Sequence, residues 1–478
     1  MLFNTIEFAI FLPIVVGLYF WLKPAFRWIL LLAASLYFYM CFVPEYALIL
    51  VATITVDYFA ARRIEVAQGL ARKAWLGLSL ATNFGFLIFF KYAGFITNNV
   101  DALAKAIGWN YPVGIIEVLL PIGISFHVFQ SVSYTIEVYR GTLRAERHYG
   151  YLALFVLYFP QLVAGPIERA QNLLHQLRAT HRFEYNRAAS GLRLVLLGLF
   201  KKVVIADHIA HLVNTVYASP GDFTGPQVLL ATYCFAIQIY CDFSGYTDIA
   251  RGVARIMGVE LMKNFDGPYL ARSIPEFWRR WHISLSTWFR DYLFIPLGGS
   301  RVAASRVMLN LFIVFLVSGF WHGAAWTFVF WGALHGIYIV SSHLTSSLRA
   351  QVVRVSGLGR LPRFHKALQI LITFHLVCLS WVFFRAANFP DAMTLLRQLP
   401  DGWSESLTAG IGFGRVELIA LAVVVAVWLG LRLLRKGREG CEYLGTLPAG
   451  ARWAAYLVLG MAIVLLGAEP ANFVYFQF

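Results

Sequence analysis

Charge is what this sequence has least of. Asp, Glu, Lys and Arg make up 14% of its 478 residues and hydrophobic residues 59%, whereas ordinary soluble domains run at about 25% and about 45–50%. With a mean hydropathy of +0.65, the chain has too little polar surface to face water all round, so it is an integral membrane protein. Cysteine is also sparse. The five, Cys41, Cys234, Cys241, Cys378 and Cys441, show no CxxC spacing, which argues against a disulfide framework or a zinc ribbon. There is no GxSxG, no P-loop and no GxGxxG followed by an acidic partner, so hydrolase, ATPase and dinucleotide readings have no support. Internal repeats, low-complexity tracts and long polar insertions are missing too. A single bundled domain over residues 1–478 is therefore the expectation.

What the sequence does have is a succession of long apolar runs, among them Ile6–Leu22, Trp28–Val43, Trp75–Phe90, Val228–Tyr240, Leu368–Phe384, Glu417–Leu434 and Trp453–Leu466. An outer-membrane barrel would show segments of about 10 alternating residues instead, so the fold class is an all-α helical bundle. The first run is preceded by no basic n-region and followed by no small-residue cleavage site, and it reads as a span rather than a signal peptide. The net charge of +15 does not point to nucleic acid, because the basic residues are not gathered on one soluble face. They fall in short loops: Lys23/Arg27, Arg62–Lys73, Arg140–Arg147, Arg169–Arg193, Arg251–Arg306, Arg349–Lys366 and Arg432–Arg438. The positive-inside rule places these loops in the cytoplasm. Tyr149–Pro166 is apolar but lies between two of them and is interrupted by Pro160 and Gly165–Pro166. It reads as a re-entrant element, which a membrane tolerates where protein or a wet cavity satisfies its backbone. About 11–12 spans then remain, with both termini outside. Lys201–Lys202, inside a span, does not fit this scheme.

Three stretches carry the chemistry. In SIPEFWRRWHISLSTWFRDYLFIPLGGSR (Ser273–Arg301), Ser273-x-x-Glu276 has capping-box spacing with Pro275 in the first turn, which predicts a helix from Ile274 to near Pro296. Trp278, Trp281, Leu285, Trp288 and Phe289 form its apolar stripe, opposite Arg279, Arg280 and Ser284. The arginines, with Arg290, either anchor the helix to headgroups or hold phosphates of a donor by bidentate bonds. His282 lies one turn from Trp278 and Ser286, as either a packed core histidine or a functional one. SGFWHGAAW (Ser318–Trp326) places Trp321 and His322 at a helical hairpin or a break within the membrane. An ionisable residue at that depth is a functional candidate, and imidazole suits general-base work near neutral pH. In CDFSGYTDIA (Cys241–Ala250), Asp242, Ser244, Tyr246 and Asp248 form a polar group at the end of a span. Its carboxylates either pair with nearby arginines or take part in chemistry.

In this order, together with FFKYAGF (Phe89–Phe95), LPIGISFHVFQSVSYTIEVYRG (Leu120–Gly141), FPQLVAGPIER (Phe159–Arg169) and the terminal FVYFQF, these stretches resemble the membrane-bound O-acyltransferase family. The likeness is to its bacterial polysaccharide-modifying branch, typified by alginate O-acetyltransferase, and runs over nearly the whole chain. It implies a membrane-embedded tunnel, a catalytic core of about residues 115–345, His322 as catalytic histidine and His282 as the second polar position. It also implies a cytoplasmic acyl thioester such as acetyl-CoA as donor substrate, with no permanently bound cofactor. The acceptor would be an extracytoplasmic polysaccharide (alginate, cellulose, another exopolysaccharide or peptidoglycan), reached through a periplasmic SGNH-type acetyltransferase partner at the bacterial inner membrane. ADHIAHLVN departs from the family pattern; His208 and His211 are spaced like metal ligands, but two ligands make a weak case and no metal is assigned. D-alanyl transfer to teichoic acid is the neighbouring chemistry within the family. Outside it stand a transporter and a noncatalytic secretion scaffold. Lysine scarcity, 9 against 31 arginines, hints at a GC-rich genome and tilts the choice toward a Gram-negative polymer. The terminal tail, Asn472–Phe478, is expected outside, either as an aromatic anchor in the interface or as a dock for the periplasmic partner.

Overall fold

The structure, a computed structural model, describes residues 1–109, 120–434, 437–467 and 473–474. These are almost entirely helical, with no strand among them. Among the described residues, four helical stretches are long and apolar enough to cross a membrane: Gly69–Ala106, Gly225–Ile256, Ala304–His322 and Pro362–Arg385. Ile6–Trp21, Pro24–Met40 and Ala449–Leu465 are shorter apolar helices. The chain divides into two compact units, Met1–Leu197 with Tyr246–Met262, and Gly198–Gly245 with Lys263–Phe478.

In the first unit, Asp57 joins three helices. Both its oxygens accept from Asn83 Nδ2 at 3.0 Å, and Oδ1 also accepts from the Ser79 hydroxyl at 2.6 Å. Ser79 in turn reaches Thr135 at 3.0 Å. A buried carboxylate is tolerable only when hydrogen bonds replace its water, and here neutral donors do so. Tyr149–Leu157 is a helix of 9 residues, about 14 Å long at 1.5 Å per residue, too short for a hydrocarbon core of about 30 Å. The turns that follow, residues 158–165, are buried throughout. Their backbone finds protein partners: Phe159 N–H donates to the Ser35 hydroxyl (3.0 Å) and Gly165 N–H to the Gln161 carbonyl (3.0 Å).

In the second unit, a helical hairpin, Ala304–His322 and Trp326–Leu344, is packed through Gly319. A Cβ there would lie 2.3 Å from the Phe328 carbonyl oxygen and 2.8 Å from Gly332 Cα. Any side chain at Gly319 would push the two helices apart. Close approach through small residues is how helices pack in lipid, where no hydrophobic effect drives them together.

Candidate active site

The charged stretch begins as its sequence implies. The Ser273 hydroxyl accepts the Glu276 N–H (3.3 Å), and the Glu276 carboxylate accepts the Arg272 N–H (2.9 Å) and pairs with Arg280 (2.6 Å). Partial burial alone would raise the Glu276 carboxyl. The Arg272 N–H and the guanidiniums of Arg280 and Arg272 outweigh it and hold the group below the usual range.

The helix does not continue to Pro296. It stops at Arg280: Trp281 is extended (φ −106°, ψ 130°) and His282 is left-handed (φ 42°, ψ 56°), the only non-glycine residue at positive φ among those described. A second helix, Ile283–Phe289, and a wide turn, Arg290–Phe294, follow. The cause is Asn264, fully buried. Its backbone carbonyl accepts the Ile283 N–H at 3.0 Å, and its Oδ1 accepts the Ser284 N–H at 3.1 Å. An unbroken helix would have sent those two N–H groups to Arg279 and Arg280. The left-handed conformation costs about 1–2 kcal/mol for an ordinary residue, and conformations of this kind cluster at functional sites.

The kink places His282 in the core of the second unit, with no exposed surface. Its ring lies 4.7 Å from Phe243 and 6.3 Å from Trp321. Trp321 is in turn 4.9 Å from His322, the last residue of the first hairpin helix. One indole is thus a neighbour of both histidines. Trp331 (5.1 Å) and Phe384 (5.4 Å) complete the walls around His322.

Trp278 and Trp281 belong to the same cluster. Trp278 packs 5.7 Å from Trp331 and donates its indole N–H to His335 Nδ1 (3.2 Å); Trp281 lies 5.2 Å from Trp381. His335 is a residue that sequence reasoning missed, although an ionisable group inside an apolar helix is itself a signal. With Nδ1 accepting, its Nε2–H faces the Ser380 hydroxyl at 2.9 Å, and that hydroxyl donates to the Val377 carbonyl at 2.6 Å. Both nitrogens are thus used in holding this wall together. Asn264 and Trp331 were missed as well; neither is ionisable nor part of a spacing pattern.

The remaining candidates divide. Ser284 is buried under the Asn264 cap, and the Ser286 hydroxyl donates to the Trp281 carbonyl (3.3 Å). Arg280 is tied to Glu276, and Arg290 to Asp291 at 2.7 Å; Arg279 is exposed. None of these three arginines has a described contact with the histidine cluster. Asp242 pairs with Lys202 rather than an arginine (2.8 Å), and Lys202 also holds Asp207 (2.7 Å). Lys201 donates to the Ser244 hydroxyl at 3.1 Å. Tyr246 and Asp248 belong to the first unit, where Tyr246 stacks on Phe3 (4.5 Å) and Asp248 faces Arg251 (3.8 Å). Most of the terminal tail lies outside the described residues. Phe473 and Val474 are described and buried: Val474 N–H donates to Asp242 Oδ2 (2.7 Å), and Phe473 packs 5.9 Å from Phe243.

Two buried imidazoles, one at a helix end and one at a strained kink, thus lie against the same ring cluster. Residues 144–384 match the model of the membrane-bound O-acyltransferase family. The chain is 38% identical over 440 residues to a probable alginate O-acetylase AlgI of Pseudomonas aeruginosa, covering 90% of this chain and 82% of that one. It is 37% identical over 434 residues to a peptidoglycan O-acetyltransferase of Helicobacter pylori, covering 83% and 79%. A teichoic acid D-alanyltransferase of Bacillus subtilis is 29% identical over 281 residues, covering 56% of this chain and 69% of that one. With helices built to cross a membrane and this extent of identity, the chain is a multi-pass membrane O-acyltransferase and belongs to the membrane-bound O-acyltransferase family.

Proposed function

We propose that this protein moves an acetyl group from a cytoplasmic thioester, acetyl-CoA or a related donor, across the inner membrane of a bacterium to hydroxyl groups of an extracytoplasmic polysaccharide, with both termini on the periplasmic side. Residues 1–478 act as one transmembrane domain with the catalytic core at about 115–345. A periplasmic SGNH-type acetyltransferase is the partner that completes delivery to the polymer. The observation that carries this reading is that His282 and His322 both lie against the ring of Trp321, in a chain alike over nine-tenths of its length to a probable alginate O-acetylase.

In this reading His322 removes the proton from the acceptor hydroxyl as its oxygen attacks the donor carbonyl. An alcohol holds its proton about as tightly as water, with a pKa near 15, and is a poor nucleophile without a base. His282, held by the kink, orients the reactants. D-alanyl transfer is the second reading, favoured by the likeness to the Bacillus subtilis protein. The test is His322→Ala in the native host, with polymer acetyl and D-alanyl content measured beside the amount of protein in the membrane. Loss of acetyl at normal protein level is the expected result. Loss of D-alanine alone would select the second reading, and unchanged acylation would overturn the assignment of His322.

A further inference from the structure

Three tryptophans of the cluster, Trp278, Trp331 and Trp381, are buried against one another. Buried indole N–H groups normally find an acceptor, and two of these do. Trp278 donates to His335 Nδ1 (3.2 Å) and Trp381 to the Tyr269 hydroxyl (3.2 Å). Trp331 does not. It has no exposed surface, and its Nε1 has no hydrogen-bond partner among the described residues. Its ring is also the one of the three that touches His322, at 5.1 Å with the two planes nearly perpendicular (86°). Trp278, His335, Trp381 and Phe384 surround the rest of it, at 5.7, 4.8, 6.0 and 5.3 Å. A buried donor without an acceptor is costly, and the bulk of the indole accounts for its packing but not for its N–H.

We propose that the Trp331 indole N–H is a hydrogen-bond donor to the reacting acyl group, holding the carbonyl oxygen as it becomes an oxyanion. This rests on the reading of His322 as general base. As the acceptor oxygen bonds to the acyl carbon, the carbonyl π pair moves to oxygen and is met by the Trp331 N–H, while the acceptor's proton passes to His322. When the carbonyl re-forms, the carbon–sulfur bond breaks and the departing thiolate takes that proton, so charge and atoms balance. A donor fixed beforehand in a dry, ring-lined site needs no reorganisation at the moment of reaction, which is where such bonds are most effective. Trp331 would then be a catalytic residue, and Trp278 and His335 positioning residues that hold its ring.

The test replaces Trp331 with phenylalanine and, separately, with benzothienylalanine, which keeps the bicyclic shape but carries sulfur where the N–H was. Thioester turnover by the purified full-length protein is followed with its acceptor system, beside His322→Ala and thermal stability. The expected result for the sulfur isostere is thermal stability at or above the parent's, an unchanged donor KM and a kcat lower by about 10²–10³-fold, the range for loss of one oxyanion donor. The isostere keeps the proposal testable if Trp331→Phe fails to fold. A kcat within threefold of the parent overturns the role of Trp331 while leaving that of His322 standing, provided His322→Ala is inactive. If His322→Ala also turns over normally, the underlying reading of the site is what fails.

Discussion

Asp242 and Phe243 are neighbours on one helix and serve opposite environments. Asp242 faces Lys202, which also holds Asp207, and receives the Val474 N–H; this is a buried network of opposite charges. Phe243 faces His282, whose ring also lies near Trp321. Charges that fix a fold can be matched to one another once and left so. Apolar, ring-lined surroundings instead favour the neutral imidazole, the form that can act as a base. The comparison makes a claim that mutations can break: the ring cluster governs turnover and the ion network governs stability.

The largest effect expected is at His322. Replacing it with alanine should lower turnover per folded molecule by about 10²–10⁴-fold, the range for a general base, with the melting temperature in detergent little changed. Lys202→Met should reverse that pattern. It removes the ammonium that two buried carboxylates share, and removing one partner of a buried ion pair costs about 3–5 kcal/mol. The folded yield should therefore fall while the surviving protein turns over normally. A stable but inactive Lys202→Met protein would place the ion network inside the catalytic machinery and end the comparison.

The kink at His282 offers a sharper and smaller test. His282→Gly and His282→Ala both remove the imidazole and leave similar space, but only alanine pays for the left-handed backbone (φ 42°). The glycine variant should be the more stable by about 1 kcal/mol, read as a higher melting temperature, with both variants impaired in transfer. Equal stability would mean that the chain abandons the kink once the imidazole is gone, and that the imidazole rather than Asn264 holds it.

These residues also show what the sequence could and could not convey. The bundle was legible because apolar runs and basic loops are local signals, and His322 and His282 stood out as candidates because each is an ionisable side chain within or beside an apolar run. The short Tyr149–Leu157 helix was legible from the charge pattern and from Pro160. The break at Trp281–His282 was not. The apolar stripe runs through it without a fault, and what breaks the helix is Asn264, distant in sequence and brought close only by folding. Lys202 looked misplaced for a related reason: its partners, Asp207 and Asp242, lie on different helices.

The smallest effect concerns the arginines that make the opening stretch conspicuous. Arg280 and Arg290 are engaged by carboxylates of their own chain, and exposed pairs of this kind contribute about 0–1 kcal/mol. Arg279 is exposed and makes no ion pair among the described residues. If the stretch contacts the phosphates of a donor, Arg279 is the residue whose planar fork is available for them, and lysine would keep the charge but lose the two-point contact. Arg279→Lys should then raise the donor KM about fivefold, equivalent to about 1 kcal/mol, leaving kcat alone, while Arg280→Lys and Arg290→Lys stay within twofold. A uniform, near-parental KM in all three would assign the stretch to lipid headgroups and leave donor recognition elsewhere. A rise confined to Arg280→Lys would show that its bond to Glu276 opens to admit the donor, because that bond otherwise occupies the guanidinium edge a phosphate needs.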